Sequence, residues 1–148
     1  MTVNMFDIFY VDFSEDSINE STQKGIRPAI IIQNDLGNKY SPTVIVIPIT
    51  CEIKKLNQPT HCLLHKSDEN GLKRDSMVLA EQVRVVDKKR LLSKIGKISN
   101  AKEQNEVLNA YLANVTGKKR YDSIWSKVVE LFLKLIREGN MNNAAIFK

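Results

Sequence analysis

The 148-residue sequence has little of what several large protein classes require. It contains only two cysteines, Cys51 and Cys62, and no CxxC pair, so neither a disulfide framework nor a structural zinc site is expected. No apolar run approaches the roughly 20 residues of a membrane-spanning helix, and the amino terminus lacks a signal-peptide pattern. We therefore expect a soluble, cytoplasmic protein without a membrane partner.

The common catalytic motifs are also missing. The sequence has no GxxxxGK[ST], GxGxxG, HExxH or GxSxG pattern. His61 and His65 stand four residues apart, but in a strand this spacing separates them by roughly 13 Å, which disfavours a shared metal ion. Cys51 follows a predicted strand without a convincing base partner, so we interpret it as structural. We expect neither a metal nor a cofactor.

What is present suits one globular unit with a packed core. Apolar residues make up 43% and charged residues 26% of the chain. The net charge of +5 is uneven, because residues 1–70 carry 6 basic and 9 acidic side chains and residues 71–148 carry 16 and 8. The excess forms two clusters, Arg84, Lys88, Lys89, Arg90, Lys94 and Lys97, and then Lys118, Lys119 and Arg120. Such clusters suit a polyanion or an acidic protein, and a solvated face that binds nothing is an equal alternative for either cluster alone.

The first 87 residues predict a strongly bent antiparallel sheet or partial barrel, because short β-branched stretches alternate with turn residues. The predicted strands are Phe6–Asp12, Ala29–Gln33, Thr43–Ile49, His61–Leu64, Ser76–Ala80 and Gln82–Val86. Two turns are predicted at 34–38 and at Asn70-Gly71, and the polar stretch 14–25 is expected to be a mobile surface loop.

Three helices are predicted after Asp87. Asp87 is expected to cap a short helix with Leu91, Leu92 and Ile95, and Asn100 and Gly117 bound a second helix. A third helix spans about 123–138 and ends at Gly139, before a loose tail at 140–148. Its main apolar face is Ile124, Val128, Leu131, Phe132 and Leu135, widened by Trp125, Val129, Leu133 and Ile136. So broad a face has to be covered by the domain, a second copy or another protein.

Arg27 is the first candidate for chemistry. It stands between Gly25 and Pro28, where a predicted buried strand begins. A guanidinium there could hold a phosphate bidentately and stabilise charge on a phosphorane. The alternative is a strand-edge arginine paired with an acid of the preceding loop, and the residues alone favour this alternative by about two to one.

A set of segments then resembles one known family in sequence order over about residues 5–117. They are 6–8, 11–13, 25–28 (Gly-Ile-Arg-Pro), 32–35, 37–43, 48–50 (Pro-Ile-Thr), 59–61 (Pro-Thr-His), 71–76, 81–84 (Glu-Gln-Val-Arg) and 87–91. Each is weak alone, but together they resemble the MazF/PemK-type toxin endoribonucleases of bacterial toxin–antitoxin pairs.

The resemblance implies a mainly β protein with packed helices, built on a small SH3-like (CcdB/PemK-type) partial barrel, with residues 1–117 as the toxin domain and 118–148 as a helical extension and tail. It implies a homodimer, and cofactor-independent cleavage of single-stranded RNA at a short sequence by attack of a ribose 2′-hydroxyl. It also implies a cognate antitoxin whose acidic tail binds in a groove of the dimer.

Carried over position by position, Arg27 matches the family's catalytic arginine and Thr50 its catalytic threonine or serine. The resemblance places Gln82 and Glu81 near the RNA groove, where an amide could read a base edge, and Phe13 as an aromatic that could stack a base. Asn34 is expected to shape the groove or its turn.

This chain departs from the family pattern at three places. The usual Ser-Glu-Gln stands here as Ser-Thr-Gln, so Thr22, followed by Gln23, replaces the acid expected in the active-site loop, and Glu20 is a substitute only if the loop folds differently. Met5-Phe6-Asp7 replaces the common Arg-Gly-Asp, and residues 121–148 extend beyond most members. Two alternatives therefore stay open: a noncatalytic RNA-binding module and a CcdB-like toxin that binds gyrase.

Overall fold

Within the residues that the structure describes, seven antiparallel strands form the body of the protein. The computed structural model describes residues 1–15, 22–117 and 123–138, with the backbone alone for 123–126. Half of the predicted surface loop (16–21), the basic cluster at 118–120 and the tail at 140–148 lie outside the described residues. The strands β1 to β7 span Asp7–Asp12, Ile26–Ile31, Thr43–Thr50, His61–Leu64, Ser76–Leu79, Arg84–Asp87 and Leu91–Lys97. Every strand predicted from the sequence exists, with ends shifted by up to three residues.

The strands make an open, bent sheet in the order β4-β5-β3-β2-β1-β7, and β6 also pairs with β3. Because side chains alternate along a strand, neighbours on β2 enter different cores: Ile30 faces the helices, and Ile31 packs with Val46 inside the bend. Both faces are thus buried, which explains why these strands read as nearly continuous apolar runs. The predicted mainly β partial barrel with packed helices is confirmed.

Three helices, α1 to α3, span Asp35–Tyr40, Ala101–Thr116 and Ser123–Arg137. The predicted turn at 34–38 is wrong, because the chain continues into α1: the Asn34 side chain accepts a hydrogen bond from the Gly37 N–H and caps the helix. For α2 the predicted ends are confirmed, since Asn100 accepts from the backbone N–H groups of Lys102 and Glu103, and Gly117 ends the helix at a φ of 67°.

The predicted helix at Leu91, Leu92 and Ile95 is wrong, because β7 occupies this stretch. Asp87 does cap a helical turn, accepting from the Lys89 N–H, but that 3₁₀ turn covers only Lys88–Arg90. β7 then pairs along β1, and two register irregularities let it follow the bend. The backbone pairing offered by β1 outweighs the local helical spacing of three leucine and isoleucine side chains.

The third helix packs with the opposite side from the one predicted as its main face. Val129 and Leu133 are buried against the core that α2 covers, whereas Val128, Leu131 and Phe132 are exposed. The apolar residues that the sequence placed at the margin therefore make the contact. Within the described residues, none of the helices is both long and apolar enough to cross a membrane.

The connection between β4 and β5 contains a carboxylate that should make stability depend on pH. Asp75 accepts hydrogen bonds from the Lys66 N–H at 2.9 Å and from His65 at 3.0 Å. Both bonds lower the pKa of Asp75 below its ordinary 3.8, and the bond from Lys66 has the larger effect. A carboxyl group whose pKa is lowered by folding stabilises the protein at pH values above its unfolded-state pKa. This contribution is lost as the pH falls through the folded-state pKa.

We expect Asp75→Asn to lower the midpoint of urea unfolding slightly at pH 7, because the neutral amide bonds the same donors more weakly. The difference from the parent protein should shrink as the pH is lowered toward 3, since the unfolded chain then binds a proton at Asp75 more readily than the folded protein does. Urea titrations at the two pH values measure this, and a difference that widens toward pH 3 would contradict the assignment.

Candidate active site

One cavity holds both residues chosen for catalysis. It has a volume of about 230 Å³ and lies where β2 begins and β3 ends, closed by the segment from Gly71 to Ser76. We call it the arginine cavity; its lining residues are Tyr10, Arg27, Pro28, Ile49, Thr50, Cys51, Gly71, Leu72, Lys73, Arg74, Ser76 and Ile95. Three basic side chains, Arg27, Lys73 and Arg74, make it suited to an anion.

Arg27 is held at its stem and open at its charged end. Its Nε donates a hydrogen bond to the Lys24 carbonyl at 3.1 Å, and the residue is exposed. Among the described residues no carboxylate lies within ion-pair distance of this guanidinium, and two acids of the preceding loop, Asp16 and Glu20, lie outside the described residues. Its two terminal nitrogens are therefore positioned to bind a phosphate entering the cavity.

Thr50 presents a hydroxyl group from a nearly buried position, since only 5% of the residue is exposed. Its Oγ1 accepts from the Glu52 N–H at 3.1 Å, which fixes the rotamer and leaves the hydroxyl hydrogen to donate. No described residue accepts that hydrogen. Thr50 is thus prepared to donate to an anionic oxygen in the arginine cavity.

A second cavity of about 350 Å³ adjoins the first and shares Thr50 with it. We call it the histidine cavity; its lining residues are Gln23, Thr50, Glu52, Lys54, Lys55, Gln58, His61, Met77, Leu79, Glu81 and Gln82. Gln82 accepts the Gln23 N–H through its side-chain oxygen at 2.9 Å, which ties the loop before β2 to the 3₁₀ turn Ala80–Gln82. The structure therefore brings Gln23, Glu81 and Gln82 to one side of Thr50.

Three other predicted RNA-binding residues lie elsewhere. Phe13 has no exposed surface, and the Arg84 guanidinium covers its ring at 4.6 Å, so a base cannot stack there. This corrects the stacking prediction, because the aromatic ring is needed to fill the inner core. Asn34 caps α1 at the end of β2 remote from Arg27. Thr22 precedes Gln23 but does not line either cavity.

Much of the first basic cluster is engaged within the protein. Arg90 donates to the Asp12 carbonyl, Lys88 to the Asn38 carbonyl, and Lys94 pairs with the buried Asp7 at 2.7 Å. Together with Arg84 on Phe13, these contacts engage four of the six residues of the cluster within the protein. Besides Arg27, the arginine cavity has two further basic lining residues, Lys73 and Arg74, which the sequence analysis did not select as site residues.

The signal for Lys73 and Arg74 was present in the sequence as a basic pair after the Asn70-Gly71 turn, but only the fold shows which surface the pair faces.

A larger cavity of about 500 Å³ lies between β4 and α2 and contains neither Arg27 nor Thr50, so volume alone does not mark the site. In the described part of the chain, no three His, Cys, Asp or Glu side chains group as metal ligands do.

Comparison with known proteins gives a consistent result. Residues 4–115 match the family described as PemK-like, MazF-like toxin of type II toxin–antitoxin system. An endoribonuclease MazF from Staphylococcus saprophyticus is 49% identical over 104 residues, which cover 70% of this chain and 83% of that protein.

Solved structures share the fold at lower identity. MazF from Deinococcus radiodurans has a TM-score of 0.65 at 19% identity, covering 78% of this chain and 98% of that one. An endoribonuclease from mycobacteria, solved in complex with its cognate antitoxin, has a TM-score of 0.59 at 19% identity, covering 78% and 95%.

Proposed function

The chain belongs to the PemK-like, MazF-like toxins of type II toxin–antitoxin systems, and from this premise we propose that it cleaves single-stranded RNA at a short sequence with Arg27 and Thr50 as catalytic residues. The observation that carries the assignment of residues is the single cavity lined by the Arg27 guanidinium and the Thr50 hydroxyl. Both groups bind anionic oxygen, and neither is committed to another anion among the described residues.

The reaction requires charge stabilisation more than a cofactor. The ribose 2′-oxygen attacks the adjacent phosphorus and loses its proton, and the bond from phosphorus to the 5′-oxygen breaks as that oxygen gains a proton. The products are a 2′,3′-cyclic phosphate and a 5′-hydroxyl. Arg27 stabilises the negative charge of the pentacoordinate phosphorane, and Thr50 donates to a non-bridging oxygen and holds the phosphate in line.

The partners follow from the family. We propose that the toxin unit, residues 1–117, acts as a homodimer in the cytoplasm and is inhibited by an antitoxin with an acidic tail, which complements the basic surface near Arg74. Residues 118–148 form an extension outside the family match, which ends at residue 115. The exposed side of α3 gives this extension an apolar surface of its own.

Incubation of the purified protein with a long single-stranded transcript in EDTA tests the activity. We expect discrete fragments whose 5′ ends are hydroxyls and whose 3′ ends are cyclic phosphates or 3′-phosphates, because the attacking group belongs to the RNA. Binding without cutting would instead indicate an RNA-binding module. Inhibition of gyrase supercoiling with intact RNA would indicate a CcdB-like toxin.

Thr50 should contribute through its hydroxyl. We expect Thr50→Val to lower kcat about 10²-fold, because one donor to the transition state is lost, and Thr50→Ser to retain most of the activity. Single-turnover cleavage of a labelled oligonucleotide measures both variants. The Thr50 hydroxyl also accepts a hydrogen bond from the Glu52 N–H, so thermal unfolding is measured in parallel to detect any loss of stability. Equal cleavage rates for a folded Thr50→Val protein and the parent would exclude a catalytic role of the hydroxyl.

A further inference from the structure

The histidine cavity contains a hydrogen-bonded chain that the proposed chemistry does not use. It runs from the Lys55 carbonyl through the His61 ring to the Glu81 carboxylate, with distances of 3.0 Å from Nδ1 to the carbonyl and 3.0 Å from Nε2 to Oε1. His61 is only 6% exposed, whereas 32% of the Glu81 side chain is exposed. The buried His61 ring therefore connects an exposed loop residue to a carboxylate that lines the cavity beside Thr50.

Both ring nitrogens of His61 face an oxygen atom. A backbone carbonyl can only accept, so the contact of Nδ1 with the Lys55 carbonyl requires a hydrogen on Nδ1. Nε2 lies 3.0 Å from Oε1 of Glu81, within hydrogen-bond distance. The ring cannot turn over without losing both bonds.

The loop that supplies the carbonyl is itself shaped for this contact. Lys55 has a φ of 53°, a left-handed conformation that costs free energy for a residue with a side chain. Its carbonyl accepts from the Gln58 N–H at 2.9 Å as well as from His61. The loop leaving Thr50 is thus closed onto His61, the first residue of β4, which couples the position of the histidine to the catalytic strand.

On the basis of the proposed function, we propose that His61 is a positioning residue that orients the Glu81 carboxylate. The remaining Glu81 oxygen, Oε2, then accepts a hydrogen bond from an exocyclic amino group of a nucleobase bound in the histidine cavity. No donor among the described residues occupies Oε2. A fixed carboxylate oxygen accepts well from the N4 amino group of cytosine or its equivalent on adenine or guanine, and uracil has no such group. Unpaired RNA exposes that edge, so the cavity should disfavour uracil at one position near the cut.

A matched pair of variants separates aiming from folding. The side-chain amide of His61→Gln can place an N–H close to the former Nε2 and keep the contact with Glu81. His61→Asn can keep the Nδ1-like donor to Lys55 but not the contact with Glu81. We expect His61→Asn and Glu81→Gln to reduce the preference for the amino-bearing base over uracil by about tenfold or more, and His61→Gln to restore most of it.

The measurement is the ratio of kcat/KM for two oligonucleotides that differ by one base, repeated at each position flanking the mapped cleavage site. Because both oligonucleotides are cleaved by the same protein preparation, partial unfolding of a variant lowers both kcat/KM values by the same factor and leaves their ratio unchanged. His65→Asn is the control, because His65 also pairs with a carboxylate but does not line this cavity. If the ratio stays at the parent value in His61→Asn and Glu81→Gln at every position, the proposal is wrong, whereas failure of the parent protein to cut RNA would overturn the proposed function instead.

Discussion

Arg27→Ala is expected to lower the rate of RNA cleavage by about 10³-fold or more while leaving the fold intact. A guanidinium that contacts the transferring phosphate stabilises the transition state more than the substrate, so the loss should fall on kcat. The fold should tolerate the change, because Arg27 is exposed and its side chain makes a single hydrogen bond, to the Lys24 carbonyl, within the described residues. Single-turnover cleavage and thermal unfolding measure the two effects separately.

Arg27→Lys is the informative companion variant. It retains the positive charge but loses the planar fork that binds two phosphate oxygens, so we expect a rate between those of the parent and Arg27→Ala. Arg74→Ala serves as the matched control, since Arg74 lines the same cavity from the segment before β5. A folded Arg27→Ala protein that cuts RNA at the parent rate would remove the basis of the proposed mechanism.

The second large effect is on stability, at the turn that closes the arginine cavity. Gly71 has a φ of +68°, and a Cβ built there would lie 1.9 Å from the Ile95 carbonyl oxygen on β7. The turn and the strand approach each other closely from both sides, because a Cβ built on Gly96 would lie 2.3 Å from the Asn70 backbone. We expect Gly71→Ala to destabilise the protein by about 4 kcal/mol or more, which would unfold many domains of this size.

Gly117→Ala isolates the steric part of this effect. Gly117 has a nearly identical φ of +67°, but nothing lies within 4 Å of a Cβ built there. Only the backbone term remains, so the expected cost is about 1 kcal/mol. Urea unfolding of both variants gives the difference, and similar midpoints would mean that the close approach of Gly71 to β7 does not constrain the fold.

The sequence predicted those elements whose determinants are local. The ends of α2 follow from Asn100 and Gly117, and the strands follow from short β-branched stretches between turn residues, because capping and alternation act over a few residues. Arg27 was a candidate because it stands between Gly25 and Pro28 at the start of a predicted strand, but only the resemblance favoured it and Thr50 as catalytic residues. The fold then places both in one cavity.

The errors share a different cause. Leu91, Leu92 and Ile95 have a helical spacing, yet β7 is a strand because β1 offers it a partner 80 or more residues earlier in the chain. The apolar residues of α3 were correctly found, but the side that packs was decided by the surface already covered by α2. Phe13 was expected at the RNA because an aromatic can stack on a base, and the inner core needed its volume instead.

By itself, the sequence determined the family and the sheet-forming segments and pointed to the two proposed catalytic residues, because each is encoded in residue types and short spacings. Tertiary structure alone decided which residues share a surface with those two residues. It joined Lys55, His61 and Glu81 into one hydrogen-bonded chain and brought Lys73 and Arg74 to Arg27, since such contacts depend on how the sheet bends and are not carried by any single segment.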